Sequence, residues 1–216
     1  MISKNFKKRL FTSILLILLL FFIFNNNVVL VYSLIIMGVL SLLEFFNICN
    51  KIIKHKSLLI ISNSIFIIYI SFFCLIFFFF SNFLQLKIIL FTLLFGCIAS
   101  DMGGYIFGKL FKGPKLTKVS PNKTYSGSIG SIFLTTLTIS GFMYYFTNNF
   151  SYLILIIAFA TSISCQIGDL FFSYLKRKAN LKDTGNFLPG HGGVLDRLDG
   201  IFLGLPIGII ALLFFY

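Results

Sequence analysis

The chain has 216 residues and a net charge of +12, and 58% of its residues are hydrophobic whereas only 11% are charged. A soluble domain carries about 25% charged residues, and the apolar residues here leave no polar face on the predicted helices, so the composition excludes a soluble helical protein. The basic residues lie in short segments between apolar runs, where they set membrane topology and attract anionic lipid headgroups, which argues against nucleic acid as a partner.

Seven apolar segments approach or exceed the ~20 residues that a helix needs to cross a bilayer. In chain order they cover residues 10–24, 28–48, 57–80, 88–108, 127–146, 150–175 and 201–216. The first and last are short enough to cross incompletely, and the third is long enough for a tilted span or a broken pair, so about six to nine spans stay open. We predict an all-α, polytopic integral membrane protein with about seven transmembrane helices.

The N-terminal sequence "MISKNFKKRLFTSILLILLLFFIF" has a basic start and an apolar centre, as a secretory signal does. Three asparagines follow it instead of a small-residue cleavage site, so we expect it to be retained as the first span. No internal repeat is evident. We divide the chain into N-terminal membrane spans, 1–86, and a catalytic membrane domain, 87–216, with cytoplasmic loops 109–126 and 176–200.

Basic residues alternate with the apolar segments in a way that predicts topology. They precede the first span and follow the second, fourth and sixth, whereas the other loops contain only Lys87. Because loops rich in Lys and Arg stay on the cytoplasmic side, we expect these loops to face the cytoplasm from the inner (plasma) membrane.

Acidic residues are few, and their positions are informative. The six are Glu44, Asp101, Asp169, Asp183, Asp196 and Asp199. Asp101 and Asp169 fall within apolar segments, where an ionisable side chain is costly and therefore a functional candidate. A structural ion pair or a polar contact between helices is the alternative for each.

The stretch "YLKRKANLKDTGNFLPGHGGVLDRLDG", residues 174–200, gathers acids, bases and glycines beside the last apolar segment. Asp196 and Asp199 are three residues apart and would share a helix face, and Asp169 lies seven residues before Lys176. Carboxylates brought together repel each other unless a cation intervenes, and hard oxygen ligands suit Mg²⁺, which takes further ligands from substrate phosphates. A simple basic topology signal followed by a glycine loop is the alternative.

A second polar segment, residues 108–131, combines lysines with hydroxyls and glycines before the fifth span. Ser120, Lys123 and Thr124 could hold a phosphate together with the free N–H groups of the helix that follows. The spacing is not that of a Walker A loop, and an ordinary basic loop is the alternative. Taken together, the two segments favour metal-assisted phosphoryl or nucleotidyl transfer at the cytoplasmic surface, with a lipid partner.

The 173–200 stretch resembles the signature of the phosphatidate cytidylyltransferase (CDP-diacylglycerol synthase) family. That signature is S-x-x-K-R, then K-D, an apolar-Pro-x-H-G-G turn and D-R-x-D. Its fixed positions are matched here by Ser173, Lys176, Arg177, Lys182, Asp183, Pro189, His191, Gly192, Gly193, Asp196, Arg197 and Asp199. "SPNKT" at 120–124 is similar to the family's S-P-x-K-T motif, "QIGDL" places Asp169, and Asp101 lies in a matching "SDMGGYIFGKLFKG". The resemblance covers roughly residues 95–216.

Two positions depart from the family pattern. Ser126 stands where members commonly have Glu, and Phe172 stands where many carry an acid. The N-terminal spans resemble those of the family only in being hydrophobic.

The resemblance implies that CTP and phosphatidate are converted to CDP-diacylglycerol and diphosphate. It assigns Asp169 and Asp196 to a divalent metal, Mg²⁺, with a second cation left open, and Asp199 to the same metal shell, which it orients. The implied phosphate-neutralising residues are Lys176, Arg177, Lys182 and Arg197, and Asp183 joins this catalytic set. Nucleotide binding falls to Ser120, Pro121, Lys123, Thr124, Gly192 and Gly193. His191 is a phosphate donor or turn stabiliser rather than a base.

Three other functions remain open on the sequence. Another CTP-dependent lipid nucleotidyltransferase or a polyprenol kinase would use similar site chemistry. A transporter would spread its charged residues over several spans near mid-membrane, whereas here they crowd at one interface. An inactive homologue is suggested by Ser126 and Phe172. A homodimer is one option for the oligomeric state.

Overall fold

The computed structural model describes residues 4–117, 120–121, 123–185, 187 and 192–215, with side chains described from 11 to 214 within those ranges. These residues form seven α-helices and no β-strand, and Lys115 and Thr124 form an isolated antiparallel bridge. The helices are α1 (Lys4–Asn25), α2 (Asn27–Ile52), α3 (Lys56–Ser81), α4 (Leu84–Phe111), α5 (Tyr125–Thr147), α6 (Tyr152–Lys178) and α7 (Leu195–Phe215).

The six helices α2 to α7 are long and apolar enough to cross a membrane, and α1 contains the shorter apolar stretch Phe11–Asn25. The predicted all-α, polytopic membrane fold is therefore confirmed. The segment predicted at 57–80 forms the single helix α3 rather than a broken pair.

The last apolar segment marks only part of its helix. The apolar segment assigned to 201–216 is the later part of α7, which begins at Leu195. Its first two turns carry Asp196, Arg197 and Asp199, and these charged residues hid the helix start from a reading based on hydropathy. The prediction that Asp196 and Asp199 lie on one helix is confirmed.

The chain divides into two compact units. The first contains Met1–Asn82 and Leu175–Arg197, and the second contains Phe83–Tyr174 and Leu198–Tyr216. Helices α6 and α7 each contribute residues to both units.

In the first unit, α2 packs one face against α3. The rings of Phe45 and Phe66 stack with centroids 3.8 Å apart, and the Cys49 Sγ lies 3.5 Å from the Ser62 Oγ. Residues along another face of α2 are apolar and exposed, as expected for a helix that faces lipid: Val28, Tyr32, Ile35, Ile36, Val39 and Leu43.

In the second unit, α4 and α5 approach closely through small residues. Gly103 of α4 faces the backbone of Gly130 on α5, and there is no room for a side chain between them. The Ser131 hydroxyl donates to the Ser100 carbonyl oxygen over 2.7 Å, and the Thr135 hydroxyl lies 3.3 Å from the Gly96 carbonyl oxygen. Small residues and hydroxyls of this kind let membrane helices pack without a hydrophobic driving force.

The contact between α4 and α5 gives a first prediction. Gly103→Ala should lower the free energy of unfolding by about 1–3 kcal/mol, because the new Cβ would overlap the Gly130 carbonyl group. The measurement is the apparent melting temperature of the detergent-purified protein. The matched control is Gly141→Ala on α5, where a Cβ meets nothing within 4 Å and alanine favours the helix. Equal melting temperatures for the two variants would contradict the prediction.

Candidate functional site

The loop between α6 and α7 belongs to the first unit and contains six of the twelve signature residues, with the other six on the adjoining helix ends. It leaves α6 through a left-handed residue, Asn180, with φ of 56°. The N–H of Leu181 returns to the carbonyl oxygen of Lys176 over 2.8 Å, which closes the end of the helix. Of the predicted site residues in this loop, His191 lies outside the described residues, as does Pro189 of the same motif.

Asp196, in the first turn of α7, gathers three donors. Its Oδ1 accepts from the Lys176 Nζ at 2.7 Å, and its Oδ2 accepts the N–H groups of Thr184 and Gly193 at 2.8 and 3.0 Å. The exposed fractions of the Lys176 and Asp196 side chains are 11% and 7%, so this ion pair is largely shielded from solvent. The structure therefore brings three predicted site residues, Lys176, Gly193 and Asp196, into contact.

A second carboxylate, from α2, holds the other side of the same loop. Glu44 is buried, with 3% of its surface exposed. It accepts the Thr184 hydroxyl at 2.6 Å and the N–H groups of Val194 and Leu195 at 3.0 and 2.8 Å. Those two N–H groups lie at the start of α7, where they have no partner within the helix and favour a negative charge.

Glycines let the loop close around Glu44. A Cβ on Gly185 would lie 2.6 Å from the Glu44 Oε1, and one on Gly193 would overlap both the Thr184 hydroxyl and the Glu44 carboxylate. Gly192 has a φ of +85°, which strains any residue with a side chain. Gly192 and Gly193, predicted as nucleotide-binding, therefore have a clear role in shaping the loop.

Several other charged residues lie in this loop or on the adjoining helix ends. Lys182, Asp183 and Arg197 are exposed. Arg177 is also exposed, and its Nη1 lies 3.4 Å from the Leu181 carbonyl oxygen. Long, exposed cations of this kind can reach phosphate oxygens.

The contact of Glu44 with this loop also bears on topology. Glu44 lies about two turns before the end of α2. The basic segments that follow α2 and α6 therefore lie at the same end of the first unit, as the charge pattern predicts.

In the second unit, the loop before α5 meets Asp169 of α6. The Lys123 Nζ lies 2.5 Å from the Asp169 Oδ2, and the Ser173 hydroxyl donates to the Asp169 Oδ1 over 3.2 Å. The loop turns at Pro121, where the N–H of Lys123 donates to the Ser120 carbonyl oxygen over 3.0 Å. The two motifs singled out in this part of the sequence thus join through one ion pair.

Thr124 and Ser126 give the same loop its connection to α5. The Thr124 side chain caps α5 by accepting the N–H of Gly127 at 3.1 Å. Ser126, at the first departure from the family pattern, lies 3.0 Å from the Thr124 hydroxyl and 3.3 Å from the N–H of Gly113. Ser126 therefore ties together two parts of the loop in place of a carboxylate.

The second departure and the two other acids also belong to the second unit. Phe172 is buried, and its ring is 6.3 Å from that of Phe202. Asp199 is buried, and its Oδ1 accepts the N–H of Gly200 at 2.9 Å. Asp101, on α4, is exposed and lies near Gly200.

Magnesium was predicted for Asp169, Asp196 and Asp199. Within the described part of either unit, no three or more His, Cys, Asp or Glu side chains group closely enough to hold a metal ion. The donors nevertheless fit the chemistry, because Mg²⁺ is commonly held by one or two carboxylates plus substrate phosphates. Asp169 retains 29% of its side-chain exposure, and a carboxylate has about four acceptor sites.

Glu44 and Thr184 were missed as site residues. The available signal was the isolation of Glu44, the only acid in the first 100 residues, inside an apolar helix. Thr184 gave no signal, since its role depends on the fold of the loop.

These observations define a multi-pass membrane protein with two carboxylate–lysine pairs built from its polar motifs. The model of the cytidylyltransferase family matches residues 1–215, and the chain belongs to this family.

Curated relatives share this assignment. A phosphatidate cytidylyltransferase from Rickettsia bellii (strain RML369-C) is 44% identical over 53% of this chain and 54% of the relative. One from Helicobacter pylori (strain ATCC 700392 / 26695) is 43% identical over 55% of this chain and 44% of the relative. One from Mycobacterium leprae (strain TN) is 38% identical over 56% and 38%. The chain spans about half or less of the length of these relatives.

The two ion pairs give a second prediction, because they differ in burial. Lys176→Met should destabilise the protein by about 3–5 kcal/mol, since it leaves Asp196 with an uncompensated buried charge. Lys123→Met should cost about 1 kcal/mol or less, since 24% of Lys123 and 29% of Asp169 are exposed. Chemical unfolding in detergent measures both, and an equal loss in the two variants would contradict the assigned difference in burial.

Proposed function

We propose that this protein is a phosphatidate cytidylyltransferase, which converts CTP and phosphatidate to CDP-diacylglycerol and diphosphate. Membership of the cytidylyltransferase family and the printed function of its relatives support the proposal. The observation that carries it is the Lys176–Asp196 pair, because both residues match the signature and the loop between them folds around that pair.

The proposed reaction is a displacement at phosphorus. A phosphate oxygen of phosphatidate attacks the α-phosphorus of CTP and forms the new P–O bond. The bond between the α-phosphorus and its bridging oxygen breaks, and diphosphate leaves with the electron pair. The attacking phosphate is already anionic near neutral pH, so the reaction needs no strong general base, and catalysis consists mainly of positioning and charge neutralisation.

Lysines adjacent to the carboxylates suit this chemistry. Lys123 and Lys176 each neutralise an acid in the structure, and each is a flexible ammonium that can instead contact a phosphate oxygen. Arg177, Lys182 and Arg197 are exposed at the loop in the first unit and supply further positive charge. We propose that all five of these cations bind phosphate groups of the substrates.

Mg²⁺ is proposed as the cofactor, held by Asp169 and Asp196, with Asp199 supporting it. When bound, it neutralises charge on the triphosphate and favours departure of diphosphate. Lys123 and Lys176, which pair with these carboxylates, would supply positive charge to the phosphate oxygens. A divalent-cation requirement is therefore expected for activity.

The proposed location is the bacterial inner membrane, with the polar loops facing the cytoplasm. The bacterial relatives and the basic character of these loops support it. This orientation gives the loops direct access to CTP, and phosphatidate would reach them from the adjacent leaflet.

The third prediction concerns Asp196 and Lys123. Asp196→Asn and Lys123→Met should each reduce transfer of radiolabelled CTP into lipid by about 100-fold or more, because each removes a charge that positions the triphosphate. The control is Lys56→Met, since Lys56 is exposed at the start of α3 and lies outside both polar segments. Near-normal turnover in a folded Asp196→Asn protein would remove Asp196 from the proposed site.

The lipid acceptor separates the proposed function from its alternative. Purified protein is given labelled CTP and Mg²⁺ with phosphatidate, a polyprenol or a polyprenyl phosphate. Label in CDP-diacylglycerol alone supports the proposal, whereas a product with another acceptor assigns the protein to a different CTP-dependent lipid transferase. Omission of Mg²⁺ and competition by other nucleotides complete the assay.

A further inference from the structure

We propose that Glu44 is a positioning residue that sets the geometry of the loop carrying Asp196, so that α2 is part of the catalytic apparatus rather than only a membrane anchor. This inference rests on the proposed function. It concerns a residue outside both polar motifs, in a segment that the sequence assigned simply to N-terminal spans.

The contacts of Glu44 are those of an organising acceptor. Both carboxylate oxygens are used, and the donors are the Thr184 hydroxyl and the N–H groups of Val194 and Leu195. These donors come from a segment about 140–150 positions further along the chain. A single side chain therefore fixes both the middle of the loop and the first residue of α7.

The charge on Glu44 is important for this role. Burial of a carboxylate is costly unless hydrogen bonds compensate for the lost hydration. Here the three donors and the N-terminal dipole of α7 provide that compensation. An amide offers one oxygen as an acceptor and presents its NH₂ group as a donor, so Gln at this position would set a donor against at least one backbone N–H.

Thr184 connects Glu44 to the proposed catalytic carboxylate. Its hydroxyl donates to the Glu44 Oε2, while its N–H donates to the Asp196 Oδ2. Movement of Thr184 away from Glu44 would therefore remove one of the three donors that orient Asp196. This route makes the influence of Glu44 on the reaction indirect.

The close fit around the carboxylate supports a dedicated arrangement. Gly185 and Gly193 approach Glu44 from two positions of the loop, and neither leaves room for a Cβ. An anchor helix without a functional contact would need none of these features.

The experiment compares Glu44→Gln with Ser41→Ala in the full chain, purified in detergent. Ser41 is buried one turn earlier on α2 and donates only within its own helix in the described contacts, to the Met37 carbonyl oxygen at 2.7 Å. Hydrogen exchange is measured on peptides covering 181–195. We expect about tenfold or greater acceleration there in Glu44→Gln, with α4 and α5 unchanged, and no acceleration in Ser41→Ala.

Kinetics supply the second readout. Glu44→Gln should lower kcat by about 10–100-fold, because a catalytic carboxylate held loosely loses its orientation, while KM for phosphatidate stays the same. Unchanged exchange in 181–195, or an equal acceleration throughout the chain, would overturn the proposal.

Thr184 keeps the proposal testable if Glu44→Gln fails to fold. Thr184→Val removes the hydroxyl and should reproduce the faster exchange and the lower kcat, whereas Thr184→Ser retains the hydroxyl and should restore both. Failure of Ser to restore what Val removes would show that the hydroxyl contact with Glu44 is unimportant.

The two readouts separate this inference from the proposed function. If the wild-type protein transfers no cytidylyl group from CTP to phosphatidate, the proposed function is wrong. Hydrogen exchange then still decides whether Glu44 holds the loop. If the wild-type protein is active and Glu44→Gln alters neither exchange nor kcat, the role of Glu44 is wrong and the function stands.

Discussion

The hydrogen bonds of the buried Glu44 carboxylate are the constraint on which the polar loop of the first unit depends. A negative charge in the interior of a membrane protein must find donors, and the start of α7 supplies two N–H groups that need an acceptor. The carboxylate and the helix start therefore satisfy each other's hydrogen-bonding requirements. Because Thr184 serves both Glu44 and Asp196, the loop has a defined shape although it contains several glycines and no regular secondary structure in its described part.

In the second unit, buried polar groups are satisfied by neutral hydroxyl donors. The hydroxyls of Ser131 and Thr135 donate to carbonyl oxygens of α4, the hydroxyl of Ser100 lies 3.4 Å from that of Ser162 on α6, and glycines allow the close approach of α4 and α5. The ion pair of Lys123 with Asp169 lies in the second half of α6. The proposed chemistry thus lies on a rigid support of short polar contacts, while its lysines retain the freedom to exchange partners.

Hydropathy alone predicted the helices, because a span of apolar residues in lipid has no alternative to the helix. It failed at the start of α7, where Asp196 belongs to the helix despite its charge. The motif residues were found from their chemistry, and the resemblance supplied their roles. Their pairing was not predictable in the same way: that Lys123 meets Asp169, or that Glu44 reaches Thr184 from 140 positions away, depends on tertiary structure. At position 172 the structure accounts for a departure from the family pattern. Phe172 is buried in the core, where an apolar side chain fits and an unpaired acid would be costly.

The position of Glu44 on α2 has an evolutionary consequence. Each residue of a helix is rotated by about 100° from the one before, so inserting a single residue ahead of Glu44 would move it to the position where Phe45 stacks on Phe66, and would turn its carboxylate away from the loop. Lipid-facing residues of α2 can be exchanged among Ile, Leu, Val and Phe at little cost. The number of residues between the start of α2 and Glu44, in contrast, is not free to change. A helix that looks like an interchangeable anchor in a hydropathy plot should therefore tolerate substitution widely and tolerate length variation poorly.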